Sequence, residues 1–112
     1  MSVTWWNEWN VIEAEIAHII ESSNEPFSAK TILNTRDLLA ICRLQCALPT
    51  SVSKGYWSTI SLSWRDFEFE VFEDRVEVYH FFDGTTDIWY EEHNPGESFS
   101  PRLLAELPKL AT

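Results

Sequence analysis

The apolar residues of this chain change period partway along it. From residue 4 to 22 they recur at helical spacing: Trp5, Trp9, Ile12, Ile16 and Ile19 step by 4, 3, 4 and 3. That is one stripe on an α-helix. From residue 57 to 92 they alternate with polar residues, the signature of strands that bury one face. A chain that switches once in this way, without returning to the first period at length, predicts helices followed by a sheet.

The first helix is expected over 4–22. Thr4 is a candidate N-cap, and Ser22, Ser23, Asn24, Glu25 and Pro26 end it. Residues 27–34 carry no clear period. A second helix is expected from about Thr35 to Ala47, with Asn34 as its cap, Asp37 in its first turn and Pro49 stopping it. Thr50 to Gly55 reads as a polar linker. Four strands follow, over 58–64, 67–72, 76–82 and 86–91. Their inward sets are Ile60, Leu62 and Trp64, then Phe67, Phe69 and Val71, then Val76, Val78 and His80, then Ile88 and Tyr90. The links between them are short, and Asp83-Gly84 is a hairpin signal because glycine accepts a positive φ. Short links imply sequential antiparallel pairing. Ser100-Pro101 opens a short helix over 100–107 that Pro108 closes. The expected fold is therefore α+β and two-layered. A four-stranded antiparallel meander packs on two N-terminal helices, with a short C-terminal helix. It forms one domain over 1–112, with a helical part over 1–49 and the meander over 57–92.

Charge narrows the function. Eighteen acids against eight Lys and Arg leave a net charge of −10. That argues against direct binding to nucleic acid or an anionic membrane, which both need a basic surface. The excess is local: residues 66–92 hold ten acids and one base, Arg75. On a strand, residues two apart share a face, so Glu68 and Glu70 stand together. With Glu77, Asp87 and Glu91 on the neighbouring strands they are expected to form one outward face, if Phe69, Val71, Val76 and Val78 face the helices. Tyr79, Phe81, Phe72 and Trp89 are placed on that same face. Aromatic anchors among steering carboxylates make a protein-binding surface.

Other candidates for chemistry are weaker. Cys42 and Cys46 lie four apart on the expected second helix. They offer a zinc half-site with His80 or His93 but read as core thiols. His93 with Asp83, Asp87 and Glu91 offers an oxygen-rich cation site. No nucleophile elbow, P-loop or dinucleotide fingerprint occurs, so catalysis, metal and cofactor are not expected. Residues 1–13 have no basic and apolar pattern of a secretory signal. No apolar run is long enough to cross a membrane. Two cysteines are too few for a disulfide framework. A cytoplasmic chain is expected.

Small size, strong acidity and an aromatic-rich sheet make the chain similar in composition to bacterial immunity proteins, antitoxins and phage nucleic-acid mimics. The resemblance implies a small acidic protein that neutralises a basic protein partner, such as a nuclease toxin or a nucleic-acid-processing complex. Glu68, Glu70, Glu77, Asp87 and Glu91 supply charge and Tyr79, Phe81 and Trp89 the anchors. Reversing the charge of Glu68, Glu70 and Glu77 together is expected to weaken binding and leave folding intact. Two other readings compete. One is a small-ligand or carbohydrate module using Trp5 or Trp6 with Asn7 and Asn10. The other is a structural homodimer formed through the aromatic sheet face.

Overall fold

The computed structural model describes the backbone of residues 4–110 and the side chains from Glu8 to Leu110. The fold is α+β, with three α-helices and a five-stranded antiparallel sheet. Helix α1 spans Thr4–Ser22 and α2 Ala29–Gln45. Strands β1 Ser51–Lys54, β2 Ile60–Ser63, β3 Phe67–Val71, β4 Arg75–Phe82 and β5 Thr85–Glu92 follow in order. Helix α3, Pro101–Glu106, runs into a 3₁₀ turn over Leu107–Lys109. The sheet order is β1-β2-β3-β4-β5, a plain meander with β1 and β5 at its edges.

Helix α1 falls where its stripe predicts, and Trp9, Ile12 and Ile16 are buried. Helix α2 begins earlier than the sequence suggests. Its cap is Ser28, whose hydroxyl accepts from the Thr31 N–H at 3.1 Å. Its buried stripe is Thr31, Asn34, Thr35, Leu38, Leu39 and Cys42. The spacing is helical, but the first half is polar, so hydrophobic periodicity misses it. Asn34 is thus no cap. It lies inside the helix, and its amide donates to the backbone carbonyls of Phe72 (3.1 Å), Glu73 (3.3 Å) and His93 (3.1 Å). One side chain thereby ties α2 to the β3–β4 turn and to the end of β5.

The sheet has five strands rather than four, because residues 51–54 pair with β2 instead of forming a linker. Val52 stands opposite Leu62 and Lys54 opposite Ile60. One apolar residue in four gives too little alternation to reveal a strand. Helix α3 opens as expected, with Ser100 Oγ accepting from the Leu103 N–H at 3.2 Å. Pro108 does not close it but sits inside the 3₁₀ turn.

One core joins these elements. Phe69, Val71, Val76, Val78, Ile60 and Leu62 from the sheet cluster with Trp9 and Ile16 of α1, Leu38 and Cys42 of α2, and Leu103, Leu107 and Leu110 of the C-terminal segment. All three helices thus contribute to the cluster that buries the sheet's inner side. No helix among the described residues is long and apolar enough to cross a membrane.

Candidate functional site

The site is best read from the strand register. On the inner side of the sheet, Leu62, Phe69, Val78 and Trp89 form one cross-strand row, and Ile60, Val71, Val76 and Glu91 form another. On the outer side the rows are Ser63, Glu68, Tyr79 and Ile88, then Ser61, Glu70, Glu77 and Tyr90. Glu68, Glu70, Glu77, Tyr79 and Phe81 therefore share the outer face, as expected. Asp87, Trp89 and Glu91 do not.

The hairpin explains that correction. Asp83 and Gly84 both have positive φ, 47° and 72°, and they form a two-residue turn closed by Phe82 opposite Thr85. Val78 then faces Trp89, and His80 faces Asp87. The apolar alternation of Ile88 and Tyr90 predicts that they point inward. Turn length sets the register, and it puts them outside.

The inner-face residues of β5 serve the fold. Trp89 is half-buried beneath the Arg102 guanidinium, 4.0 Å from its ring centre. Glu91 accepts from the Ser100 N–H at 3.0 Å and from the Ser100 hydroxyl, anchoring the start of α3 to the sheet. Asp87 is exposed near the hairpin tip.

The outer face divides in two. Over β2–β4 its carboxylates are engaged. Glu70 is only 9% exposed, and its Oε2 accepts from the Thr59 hydroxyl at 2.5 Å. A side chain at Gly55 would run into that same pair of oxygens, so glycine there permits the close approach of the β1–β2 loop. Glu77 accepts from Arg75 Nε at 3.0 Å and from the Tyr79 hydroxyl at 2.7 Å. Burial, the bond to Glu77 and the nearby carboxylates together push the Tyr79 phenol well above its usual range. Partial burial, and then the charge of Glu70, raise the Glu68 carboxyl despite a hydrogen bond from Ser63. Charge reversal at Glu70 or Glu77 would therefore disturb the fold itself, contrary to the sequence expectation.

Over β4–β5 the outer face is open. Phe81 is 41% exposed, Ile88 59% and Tyr90 60%. Tyr79 and Phe81 stack along β4, with ring centres 6.5 Å apart. Glu92 is exposed at the end of β5. Arg75, the one base of the segment, is committed to Asp74 (2.9 Å) and Glu77. Burial opposes its charge, but these two carboxylates outweigh it and raise its pKa. Ile88, Tyr90 and Glu92 are thus members of this face that sequence reasoning missed. The two-residue Asp-Gly turn is the signal from which they follow.

The candidate metal sites do not assemble: among the described residues no group of three or more His, Cys, Asp or Glu is placed to hold a metal ion. Cys42 and Cys46 are free and buried in the core. A hydrogen bond to Cys46, together with burial, pushes the Cys42 thiol well up. His80 stacks on Phe67 at 4.2 Å. His93 is fully buried, stacked on Phe99 at 4.1 Å, with Nε2 2.9 Å from Asp37 Oδ2. The same Asp37 oxygen accepts from the Gly96 N–H at 2.9 Å. Burial opposes ionisation of Asp37, but the His93 bond and the Gly96 N–H outweigh it and hold the carboxyl below its ordinary value.

A separate cleft of about 550 Å³ lies between the start of α2 and the β1–β2 and β3–β4 connections. Its lining includes Ser28, Trp57, Phe72 and Arg75. Trp57 is 63% exposed on its rim and meets Tyr56 edge-on at 4.8 Å. Phe72, expected on the outer face of the sheet, instead lies in this cleft under the Arg75 guanidinium at 3.8 Å. Trp5, Trp6 and Asn7, the expected sugar platform, lie outside the described side chains. Asn10 accepts from Arg43 at 3.2 Å.

No protein-family model matches the chain, and no curated protein or solved structure matches it either.

Proposed function

We propose that this chain is a small acidic binding protein that neutralises a basic protein partner through the outer face of its sheet. One observation carries the reading. Phe81, Ile88 and Tyr90 are exposed beside Glu92 and Glu68, and the only base of the segment is already paired. Large exposed aromatic and aliphatic side chains supply desolvated anchors. Surrounding carboxylates speed encounter and select a positive surface. A nuclease or another nucleic-acid-processing protein presents such a surface. The two free, buried cysteines suit the reducing cytoplasm.

The test compares two tagged baits in native, nuclease-treated lysate: the wild-type chain and the triple variant I88A/Y90A/E92K. Eluates from a salt gradient are read by mass spectrometry. The reading expects one basic protein in stoichiometric amount on the wild-type bait, eluting at moderate salt and absent from the variant. The same proteins on both baits, or an acidic partner indifferent to salt, would overturn it.

A second reading has its own support in the cleft rimmed by Trp57, which suits a small polar ligand such as a sugar. Titration with sugars and nucleotides while following tryptophan fluorescence tests it. A response lost in Trp57→Ala supports the cleft, and a flat titration removes it.

A further inference from the structure

The open edge of β5 extends the reading just given and rests on it. Backbone bonding fixes which way each β5 residue points. The Phe81 N–H donates to Asp66 and the Arg75 carbonyl accepts from Phe72, so the odd residues of β4 bond toward β3. The even residues then bond toward β5, as Asp74 does in accepting from the His93 N–H at 3.0 Å. By the register, the β5 partners of those even residues are Thr85, Asp87, Trp89 and Glu91. The N–H and C=O groups of Thr86, Ile88, Tyr90 and Glu92 consequently point away from the sheet. None of them has a partner among the described residues.

Proteins ordinarily blunt such an edge with charged side chains, lysine above all, or with proline, a bulge or a covering element. Here β5 is eight residues long and carries neither lysine nor proline. It pairs with β4 without a bulge, all eight of its residues finding partners in unbroken steps of one. Its only charges are Asp87, Glu91 and Glu92.

We propose that β5 is a docking edge that accepts an extended segment of the basic partner as a sixth strand of the sheet. Main-chain bonds to residues 86, 88, 90 and 92 supply affinity, and the two faces of β5 supply selectivity. On the outer side the incoming strand meets Ile88 and Tyr90, which favour apolar residues. On the inner side it meets exposed Asp87 near the hairpin tip, which favours Lys or Arg. The recognised segment is therefore one in which apolar and basic residues alternate. A second copy is the poorer occupant. It would bring its own Asp87, Glu91 and Glu92 against the same three acids, and like charges across strands are unfavourable.

The test uses a blocked octapeptide of alternating lysine and valine, with two N-methylated forms, one for each set of alternate residues. Binding is read by amide exchange on ¹⁵N-labelled full chain. The proposal expects the N–H groups of Ile88 and Tyr90 to slow about tenfold on binding, while Asp87 and Trp89, already bonded to β4, change little. It also expects N-methylation of one set to abolish binding and of the other to leave it. Equal binding by both methylated forms overturns the edge while leaving the acidic face as a binding surface. Failure of the peptide to bind, with the lysate partner still captured by the wild-type bait, also overturns the edge alone. Loss of both defeats the basic-partner reading. Concentration-dependent dimerisation that protects Ile88 and Tyr90 without peptide assigns the edge to a second copy instead.

Discussion

On β3, Glu70 is nearly buried and held by Thr59 beneath the β1–β2 loop. On β5, Glu92 is open to water with no side-chain partner among the described residues. Both lie on the outer face of one sheet, two strands apart. The difference shows that acidity by itself does not mark a binding surface. Where neighbouring strands and loops close over a carboxylate, it is satisfied internally and belongs to the fold. Where the sheet runs past its cover, the same residue type is left for a partner. The boundary falls along β4. On the outer side of that strand Glu77 and Tyr79 are half-buried, whereas Phe81 further along is exposed.

Substitutions separate the two regions by size of effect. The largest is expected at Phe69, fully buried on the inner row. Phe69→Ala removes a ring from a packed core and is expected to lower unfolding free energy by about 3–5 kcal/mol in urea titration. Tyr90→Ala, on the open face, is expected to change it by less than about 0.5 kcal/mol. Similar losses at the two positions would mean that the β4–β5 face is covered in solution.

Glu91 comes next. It sits on the exposed strand but is used by the fold, because it holds Ser100 at the start of α3. Glu91→Ala is expected to cost about 2 kcal/mol through lost charge-assisted hydrogen bonds. Amide exchange is expected to quicken at Ser100 and Leu103 rather than along β5. A variant indistinguishable from the wild type would return Glu91 to the binding surface.

Asp37 gives a smaller, pH-dependent effect. Its carboxyl is held below its ordinary value in the fold, so ionised Asp37 contributes stability above the ordinary carboxylate pKa. That contribution is lost as pH falls through the lowered folded value. Asp37→Asn is expected to cost about 1 kcal/mol at neutral pH, with the gap closing in acid, as read by thermal melts across pH. A gap that widens in acid would reverse the assignment.

How much of this was legible in the sequence differs by element, for physical reasons. Helix α1 and strands β3 and β4 were legible because each buries a regular apolar set. The first half of α2 was hidden because Thr31, Asn34 and Thr35 fill its buried positions, and β1 because it offers only Val52. For the site, Glu68, Glu70, Glu77, Tyr79 and Phe81 were correctly placed on one face. Asp87, Trp89 and Glu91 were exchanged with Ile88 and Tyr90, and Glu92 lay past the end of the expected strand, because apolar alternation on an exposed strand carries no information about which side is in. That information lies in the two-residue turn.

Glu68 stands on the dividing line and gives the smallest and most discriminating effect. It is partly buried and stands beside Glu70 on the same strand, and both conditions disfavour its charged form, so its carboxyl is raised in the fold. The sign is opposite to that of Asp37. At neutral pH the folded chain carries an ionised Glu68 at some cost, and protonation relieves that cost as pH falls through the raised value. Glu68→Gln is therefore expected to stabilise at pH 7 by about 0.3 kcal/mol, after allowance for solvent screening. The advantage is expected to vanish in acid, where the wild-type side chain is neutral too. If Glu68 also steers a basic partner, the same substitution weakens association at low salt, mainly through the on-rate. A variant that is more stable and slower to bind identifies a carboxylate kept for recognition. A variant that is more stable and binds unchanged moves the functional boundary to β5 alone.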